Sequence, residues 1–586
     1  MLEKILRFSI RNRWFVFIIT LVIAAFGIYS FRKLPIDAVP DITNIQVQIN
    51  TEAAGYSPLE VEQRITFPVE TAMAGIPRLD YTRSISRYGL SQVTVVFEDG
   101  TDIYFARQLI AERLQEIKGK LPEQIEPAMG PVATGLGEIF LWTVDAAPGA
   151  KNPDGTSITF TDLRTIQDWI IRPQLRNVPG VADVNSIGGY TKEYHVTPQP
   201  EKLLAYNLSF SDVMKALAAN NSNVGAGYVE HQGMQLLIRA PGQVSTVDQI
   251  KEIIVDYHSG TPVKIGDIAD VHVGEELRTG AATQNGKEVV LGTVFMLMGE
   301  NSRIVSQRVS EKMKEVNQSL PEGVEARAVY DRTNLVNATI RTVRNNLFEG
   351  AVLVIVILFF LLKNIRAALI TSMVIPLSML ITSTGMAANK MSGNLLSLGA
   401  IDFGLIVDGA VIMVENFVRR LSEAERKHGR KMTLHERLDI VFEASKEVRR
   451  ATVFGSAIIM TVYLPILTLT GIEGKMFYPM AFTVILALFA AMVLSITFVP
   501  AAVAIFLKSA HSESDNVLIR GFKKAYVPLL QYSLAHKKTV LGGALAMVLL
   551  MFALGTQMGS EFLPSLDEGD LLVHALRIPG TGLTQA

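Results

Sequence analysis

Hydrophobic positions follow two regimes along the chain. Seven stretches, residues 14–31, 347–362, 367–388, 395–418, 451–469, 481–507 and 539–554, are almost wholly apolar. Most are near or above the about 20 residues that cross a hydrocarbon core about 30 Å thick. Between the first and second stretches the period changes. NIQVQIN (44–50), LDYTRSISR (79–87) and SQVTVVFED (91–99) are strand-like, while SPLEVEQRITFPVETAMAG (57–75) and DIYFARQLIAERLQEIKGKL (102–121) place apolar residues at helical spacing. The order βαββα, with another strand to follow, predicts a split βαβ sandwich. A second such unit begins at Glu138: EIFLWTVDA reads as strand, DLRTIQDWIIRPQL as helix and VADVNSIGG as strand. It resumes with VVLGTVFMLM as strand, SRIVSQRVSEKMKEVNQSL as helix and VEARAVYD as strand, leaving the Gly-punctuated residues between as an insertion. The expected fold class is a membrane protein: an α-helical transmembrane bundle plus α+β subdomains of split βαβ, ferredoxin-like type.

Charge fixes the orientation of the spans. Lys4, Arg7, Arg11 and Arg13 precede the first; Lys363 and Arg366 lie between the second and third; residues 419–450 hold ten basic residues and 508–538 hold six. All four segments fall on one side if the spans alternate, and the positive-inside rule makes that side cytoplasmic. Residues 32–346 are then extracytoplasmic. The first stretch is read as a span rather than a signal peptide, because its apolar run is long, Arg32 and Lys33 follow at once, and no small-x-small cleavage pattern closes it.

Composition agrees and narrows the chemistry. Of 586 residues, 49% are hydrophobic and 19% charged, and mean hydropathy is +0.29, far more apolar than a soluble protein. The net charge of -1 and the lack of a basic stripe point away from nucleic acid. With no cysteine there is neither a disulfide framework nor a thiolate metal site. No GxxxxGK[ST] loop occurs, so ATP is not the evident energy source. LRFSIRNRWFV (6–16) aligns with LQYSLAHKKTV (530–540), and KLPIDAVPD (33–41) with FLPSLDEGD (562–570). The spacing of these copies leads one to expect a protein near double this length, of which the chain is an N-terminal fragment.

The fourth span carries charge. Residues 401–416, IDFGLIVDGAVIMVEN, are lipid-like yet hold Asp402, Asp408 and Glu415. At about 100° and 1.5 Å per residue, Asp408 and Glu415 lie about 20° apart and two turns apart in depth; Asp402 is about 120° round and about 9 Å nearer the outside. An intramembrane carboxylate costs several kcal/mol unless it faces a bundle interior or water. A carboxyl shielded from water can be neutral toward one compartment and ionised toward the other, as a proton relay requires. The plainer alternatives are hydrogen bonds to neighbouring helices, caps for backbone groups near Gly404 and Gly409, and snorkelling by Glu415.

This layout resembles the resistance-nodulation-cell division (RND) superfamily of proton-driven exporters. DFGLIVDGAVIMVEN resembles the fourth-helix signature of its heavy-metal efflux branch, in the divalent-cation, cobalt-zinc-cadmium version that includes the aspartate at 402; PIDAVPDI and AAGYSPLEVEQRITFPVE also match. The resemblance implies a first helix in 1–37, porter subdomain 1 in 38–136, porter subdomain 2 in 137–187 and 276–331, and a docking insertion in 188–275. It further implies helices 2–6 in 332–507 with a cytoplasmic loop at 419–450, a cytoplasmic linker at 508–538, helix 7 at 539–555, and the start of a second periplasmic segment at 556–586. The implied protein is a homotrimeric, multi-pass inner-membrane pump working with a periplasmic adaptor and an outer-membrane channel. It has no cofactor, a divalent metal ion (zinc, cobalt, cadmium or nickel) as substrate, and Asp402, Asp408 and Glu415 as its proton relay. Basic and hydroxyl relay partners would lie in the other half.

The resemblance also implies carboxylate and histidine ligands in a cleft between porter subdomains, suited to borderline cations. Glu138 is the best match, and Asp162 and Asp168 sit on the helix expected to flank it. Each has a plain reading as a solvated carboxylate, as His195 and His231 have as surface histidines. Met234, Met296 and Met298 invite copper, since thioethers suit Cu(I), but the alternating strand residues Met296 and Met298 read as core fillers. Alternatives within the superfamily are an exporter of organic compounds, which would line the cleft with aromatics, or of monovalent copper or silver. A member that uses proton flow to move a protein or lipid would have no use for the insertion. The apolar positions Leu434, Leu438, Val441 and Phe442 suggest a helix lying along the inner leaflet.

Overall fold

Prolines and glycines set where these helices bend and how closely they pack. The computed structural model describes residues 2–586 apart from 38–39, 259, 279, 363, 390, 395–396, 398–402, 431, 508–516, 560–572, 574 and 579–580. Asp402 and the repeat stretch 562–570 lie outside the described residues. The chain divides into two units: Met1–Gly137, Leu297–Ser306 and Arg332–His574 form the first, and Glu138–Met296, Gln307–Asp331 and Ala575–Ala586 the second.

In the first unit, five helical runs among the described residues are long and apolar enough to cross a membrane: Arg13–Lys33, Ile365–Ala388, Leu434–Thr468, Gly471–Ile496 and Lys537–Gly555. Each falls on one of the seven apolar stretches. Of the other two stretches, 347–362 lies in the 31-residue helix Arg332–Leu362, and residues 403–418 of the fourth lie in the helix Phe403–His428. Helix contacts use small residues, as expected where lipid offers no hydrophobic drive. A Cβ on Gly27 would stand 2.6 Å from Leu380 Cβ, and one on Gly385 would stand 2.6 Å from a Leu486 methyl. The helical run from Ile365 to Ala388 is interrupted at Met373, just before Pro376, whose ring and missing N–H disturb the preceding turn.

The Leu434–Tyr463 helix corrects one expectation. It runs unbroken from its Thr433 capping box into the apolar stretch, and Val441 and Ala444 are buried in the helical core with Leu438 and Phe442 against it. Leu438, Val441 and Phe442 therefore pack on protein instead of lying along the leaflet, while Leu434 at the first turn is exposed. The sequence reading also missed the amphipathic helix Leu2–Arg11, which buries Leu6 and Ile10 in the same core. It is tied down by Glu3 to Arg449 at 2.6 Å and by Arg7 over the Phe442 ring.

The same unit holds the first α/β sheet. Strands β1 (Ile45–Glu52), β2 (Leu79–Arg87), β3 (Leu90–Phe97) and β4 (Ala128–Met129) are ordered β2-β3-β1-β4, with Val47 opposite Val95 and Ile49 opposite Val93. Their buried faces pack on helices bearing Val69, Met73, Ala106 and Ile110. The sheet is fastened to the helical block. Lys475 Nζ lies 2.7 Å from an Asp99 carboxylate oxygen and donates to Thr43 O and Asn44 Oδ1, and Arg332 donates to Asp37 at 3.0 Å.

The second unit repeats that topology. β5 (Glu138–Ala146) and β6 (Val181–Ile187) precede the insertion. Within the insertion are β7 (Lys192–Pro198), the hairpin β8 (Val224–His231) and β9 (Met234–Ala240), β10 (Ile254–His258), β11 (Thr261–Lys264) and β12 (Ala269–Glu275). β13 (Ala282–Gln284), β14 (Lys287–Met296) and β15 (Val324–Asp331) follow, giving the order β6-β14-β5-β15 with β13 also against β14. The insertion has its own core of Leu203, Val213, Ile250, Val263, Ile265 and Val271.

One device recurs in both sheets. The helix after the first strand holds a wide π turn, Glu62–Thr66 in one and Gln167–Ile171 in the other, directly before Phe67-Pro68 and Arg172-Pro173. A proline inside a helix lacks the N–H and crowds the carbonyl four residues back. A π turn adds the residue that relieves this crowding.

Candidate functional site

The Phe403–His428 helix has a packed side and an open side. Ile406, Val407, Ala410, Met413, Val414 and Phe417 are buried in the helical core, whereas Asp408 and Glu415 are exposed. Seven residues bring a helix almost back to the same azimuth, so these two carboxylates share one stripe. Among the described residues neither accepts a hydrogen bond or forms an ion pair. The plainer readings as interhelical hydrogen bonds or caps thus find no partner within the described chain. Gly409, next to Asp408, draws the helix onto its neighbours: a Cβ there would lie 2.8 Å from Thr452 Cγ2 and 3.2 Å from Ser495 Oγ.

Below the carboxylate stripe, toward the C-terminal end of the helix, a polar lock holds it. Asn416, buried, donates to Ala444 O at 2.9 Å and Glu447 Oε2 at 3.2 Å, and accepts from Arg419 at 2.7 Å. Arg420 closes the lock by donating to the same Glu447 oxygen at 2.8 and 3.0 Å. Sequence reasoning stopped at the carboxylates. The signal for the lock was the ENFVRR run itself, in which an amide and two arginines fall within one turn of the predicted membrane end.

The second unit separates the three metal candidates. Glu138 opens β5, is exposed, and its side chain makes no hydrogen bond or ion pair among the described residues. The β5–β14 register slips beside it, Phe140 facing Val294 and Glu138 facing Phe295. Such bulges re-aim the side chains next to them.

Asp162 is a capping residue. It accepts from the Thr159 backbone at 2.9 Å, the Thr159 hydroxyl at 2.8 Å and the Asn152 amide at 3.0 Å. Burial works against its charge, but these donors prevail and hold its carboxyl below the usual aspartate range.

Asp168 is also engaged, paired with Arg164 at 2.7 Å and accepting from Ser186 Oγ at 2.6 Å. Beside it the Trp142 indole N–H donates to buried Gln167 at 2.9 Å. This packing depends on Gly292, where a Cβ would stand 2.2 Å from the indole. Of the three, Glu138 alone has its carboxylate uncommitted within the described residues. Among those residues no group of three or more His, Asp or Glu side chains converges as for a closed metal centre.

Comparison with known proteins agrees with this architecture. Residues 5–586 match the AcrB/AcrD/AcrF family. The chain is 62% identical over 586 residues to Protein HelA of Legionella pneumophila, an alignment covering 100% of this chain and 56% of that protein. It is 60% identical over 586 residues to the cobalt-zinc-cadmium resistance protein CzcA of Cupriavidus metallidurans, covering 100% and 55%. A crystal structure of a heavy metal efflux pump superimposes with a TM-score of 0.82 at 31% identity, over 96% of this chain and 53% of that one. The chain spans about half the length of the curated relatives it matches. With a family match running from residue 5 to residue 586 and the same fold in a solved pump, the chain belongs to the AcrB/AcrD/AcrF family of RND proteins.

Proposed function

We propose that the protein is a secondary active transporter of the bacterial inner membrane that exports divalent heavy-metal cations in exchange for protons. The observation that carries this reading is the open stripe of Asp408 and Glu415 on a helix otherwise sunk in the core, in a chain 60% identical to a cobalt-zinc-cadmium resistance protein. A carboxylate kept at membrane depth without a partner in its own bundle is suited to picking up and releasing protons. Asp402 belongs to the same relay. Glu138 is the metal-facing carboxylate of this segment, and Asp162 and Asp168 contribute shape rather than ligands.

The working assembly is a homotrimer joined by a periplasmic adaptor and an outer-membrane channel. The β8–β9 hairpin supports this, because Leu236, Leu237 and Ile238 stand exposed on it and call for a partner surface. The substrate is zinc, cobalt, cadmium or nickel.

The test is transport by the full-length protein in vesicles carrying a proton gradient. Asp408→Asn keeps the shape of the side chain and loses the titrating group. Zinc and cobalt movement should fall to the level of empty vesicles while metal binding persists. Wild-type rates in this variant would make the carboxylate structural and overturn the relay.

A further inference from the structure

The insertion leaves and re-enters the second unit through two paired strands, β7 and β12, and the outer face of that ribbon carries an unusual array. His195 stands directly opposite His272, Glu193 opposite Gly274, and Thr197 opposite Asp270. Because alternate residues share a face, these six positions lie together, while Val271 and Ala269 point into the insertion core from the other side. The imidazole rings are 5.5 Å apart between centroids, edge to face. Each ring is held by the acid two residues before it: His195 Nε2 lies 3.0 Å from Glu193, and His272 Nδ1 lies 2.9 Å from Asp270. One nitrogen on each ring remains, Nδ1 of His195 and Nε2 of His272.

Gly274 makes the arrangement possible. A Cβ there would fall 2.4 Å from His195 Nδ1, so the ring occupies the space that any other residue would fill.

We propose that His195 and His272 form a binding site for a borderline divalent cation such as zinc, cobalt or nickel, with Glu193 and Asp270 orienting the rings. Three features support it. Two imidazoles on one tetrahedral ion, with metal–nitrogen bonds of about 2.0–2.1 Å, have ring centroids about 5 Å apart, close to the observed separation. A carboxylate on the second ring nitrogen is the usual support of a metal-bound histidine. The donor set of two imidazoles, with carboxylate or water to complete it, suits these cations and not calcium or magnesium.

The two rings close on the ion by small turns about their own torsions, Glu193 and Asp270 keeping their hydrogen bonds to the other ring nitrogens, and water completes the coordination. The ion would tie β7 to β12 at the root of the insertion, adding a metal link to their backbone pairing in a chain without cysteine. Under the transport reading above, the ion that loads this site is the cargo metal. Binding itself is independent of transport.

The experiment is titration of the full-length protein with cobalt(II) and with zinc(II), read by cobalt visible absorption and by calorimetry. Asp408→Asn serves as the background, so that loss of transport and loss of this site are read separately. Expected are one cation equivalent, in addition to any held at Glu138, with intense tetrahedral cobalt bands, loss of that equivalent in both His195→Ala and His272→Ala, and at least about tenfold weaker binding at it in Gly274→Ala, about 1.4 kcal/mol. His195→Gln and His272→Gln, checked by circular dichroism, control for misfolding. An unchanged stoichiometry and spectrum in the folded histidine variants would overturn the site.

Discussion

Glu138 and Asp162 look alike in sequence and differ in what holds them. Glu138 is exposed beside a bulge, so Glu138→Ala should leave the unfolding free energy within about 0.5 kcal/mol of the parent. The same change should weaken zinc or cobalt binding by the full-length protein, and calorimetry together with thermal melts checks both halves. Unchanged binding would return Glu138 to a solvated strand end. Asp162→Ala should do the reverse: metal binding stays, and the cap costs about 1 kcal/mol. The pH sign follows from the lowered carboxyl. A group more acidic when folded contributes stability above its ordinary value of 3.8, and that contribution disappears as pH falls through the folded value. The stability gap between parent and Asp162→Asn should therefore be open at neutral pH and close in strong acid, measured by denaturant unfolding at several pH values.

At the scale of elements, the Gly409 crossing gives the sharpest test of packing. Gly409→Ala places a methyl 2.8 Å from Thr452 Cγ2, so the helices must move apart or strain, at about 1–3 kcal/mol. Thr452→Ser removes that methyl, and the double variant should recover much of the loss in thermal stability in detergent. If the two changes simply add, the helices do not meet there as described. Much of this level was legible in sequence. Period-2 and helical spacing identified both βαββαβ units and the resumption of the second after its insertion, because burial writes periodicity directly into residue order. The described parts of the seven apolar stretches likewise fell mainly on helices. What periodicity could not supply was the partner of each face. Leu438, Val441 and Phe442 read equally well as facing lipid or protein, and only the neighbouring Phe403–His428 and Leu2–Arg11 helices decide it. The same limit hid the Asn416 lock and the capping role of Asp162, since a carboxylate in sequence does not declare its donors.

For the whole molecule, the exposed β8–β9 hairpin predicts assembly. Leu237 is 82% exposed, so under the proposed assembly Leu237→Asp in the full-length protein should cost the single protomer little and should lower the trimer fraction in native mass spectrometry or light scattering. An unchanged trimer would remove the hairpin from the interface. The two-sided helix Phe403–His428 has a consequence for how relatives of this protein can diverge. On its packed side, Ile406, Ala410, Met413 and Phe417 answer to volume, so replacements there should be apolar and compensated by size changes on the Leu434–Tyr463 and Gly471–Ile496 helices. On its open side, Asp408 and Glu415 answer to charge, and a replacement there should travel with changes in whatever polar groups face that stripe. A single helix thus carries two independent records of substitution, one in methylene groups and one in charge.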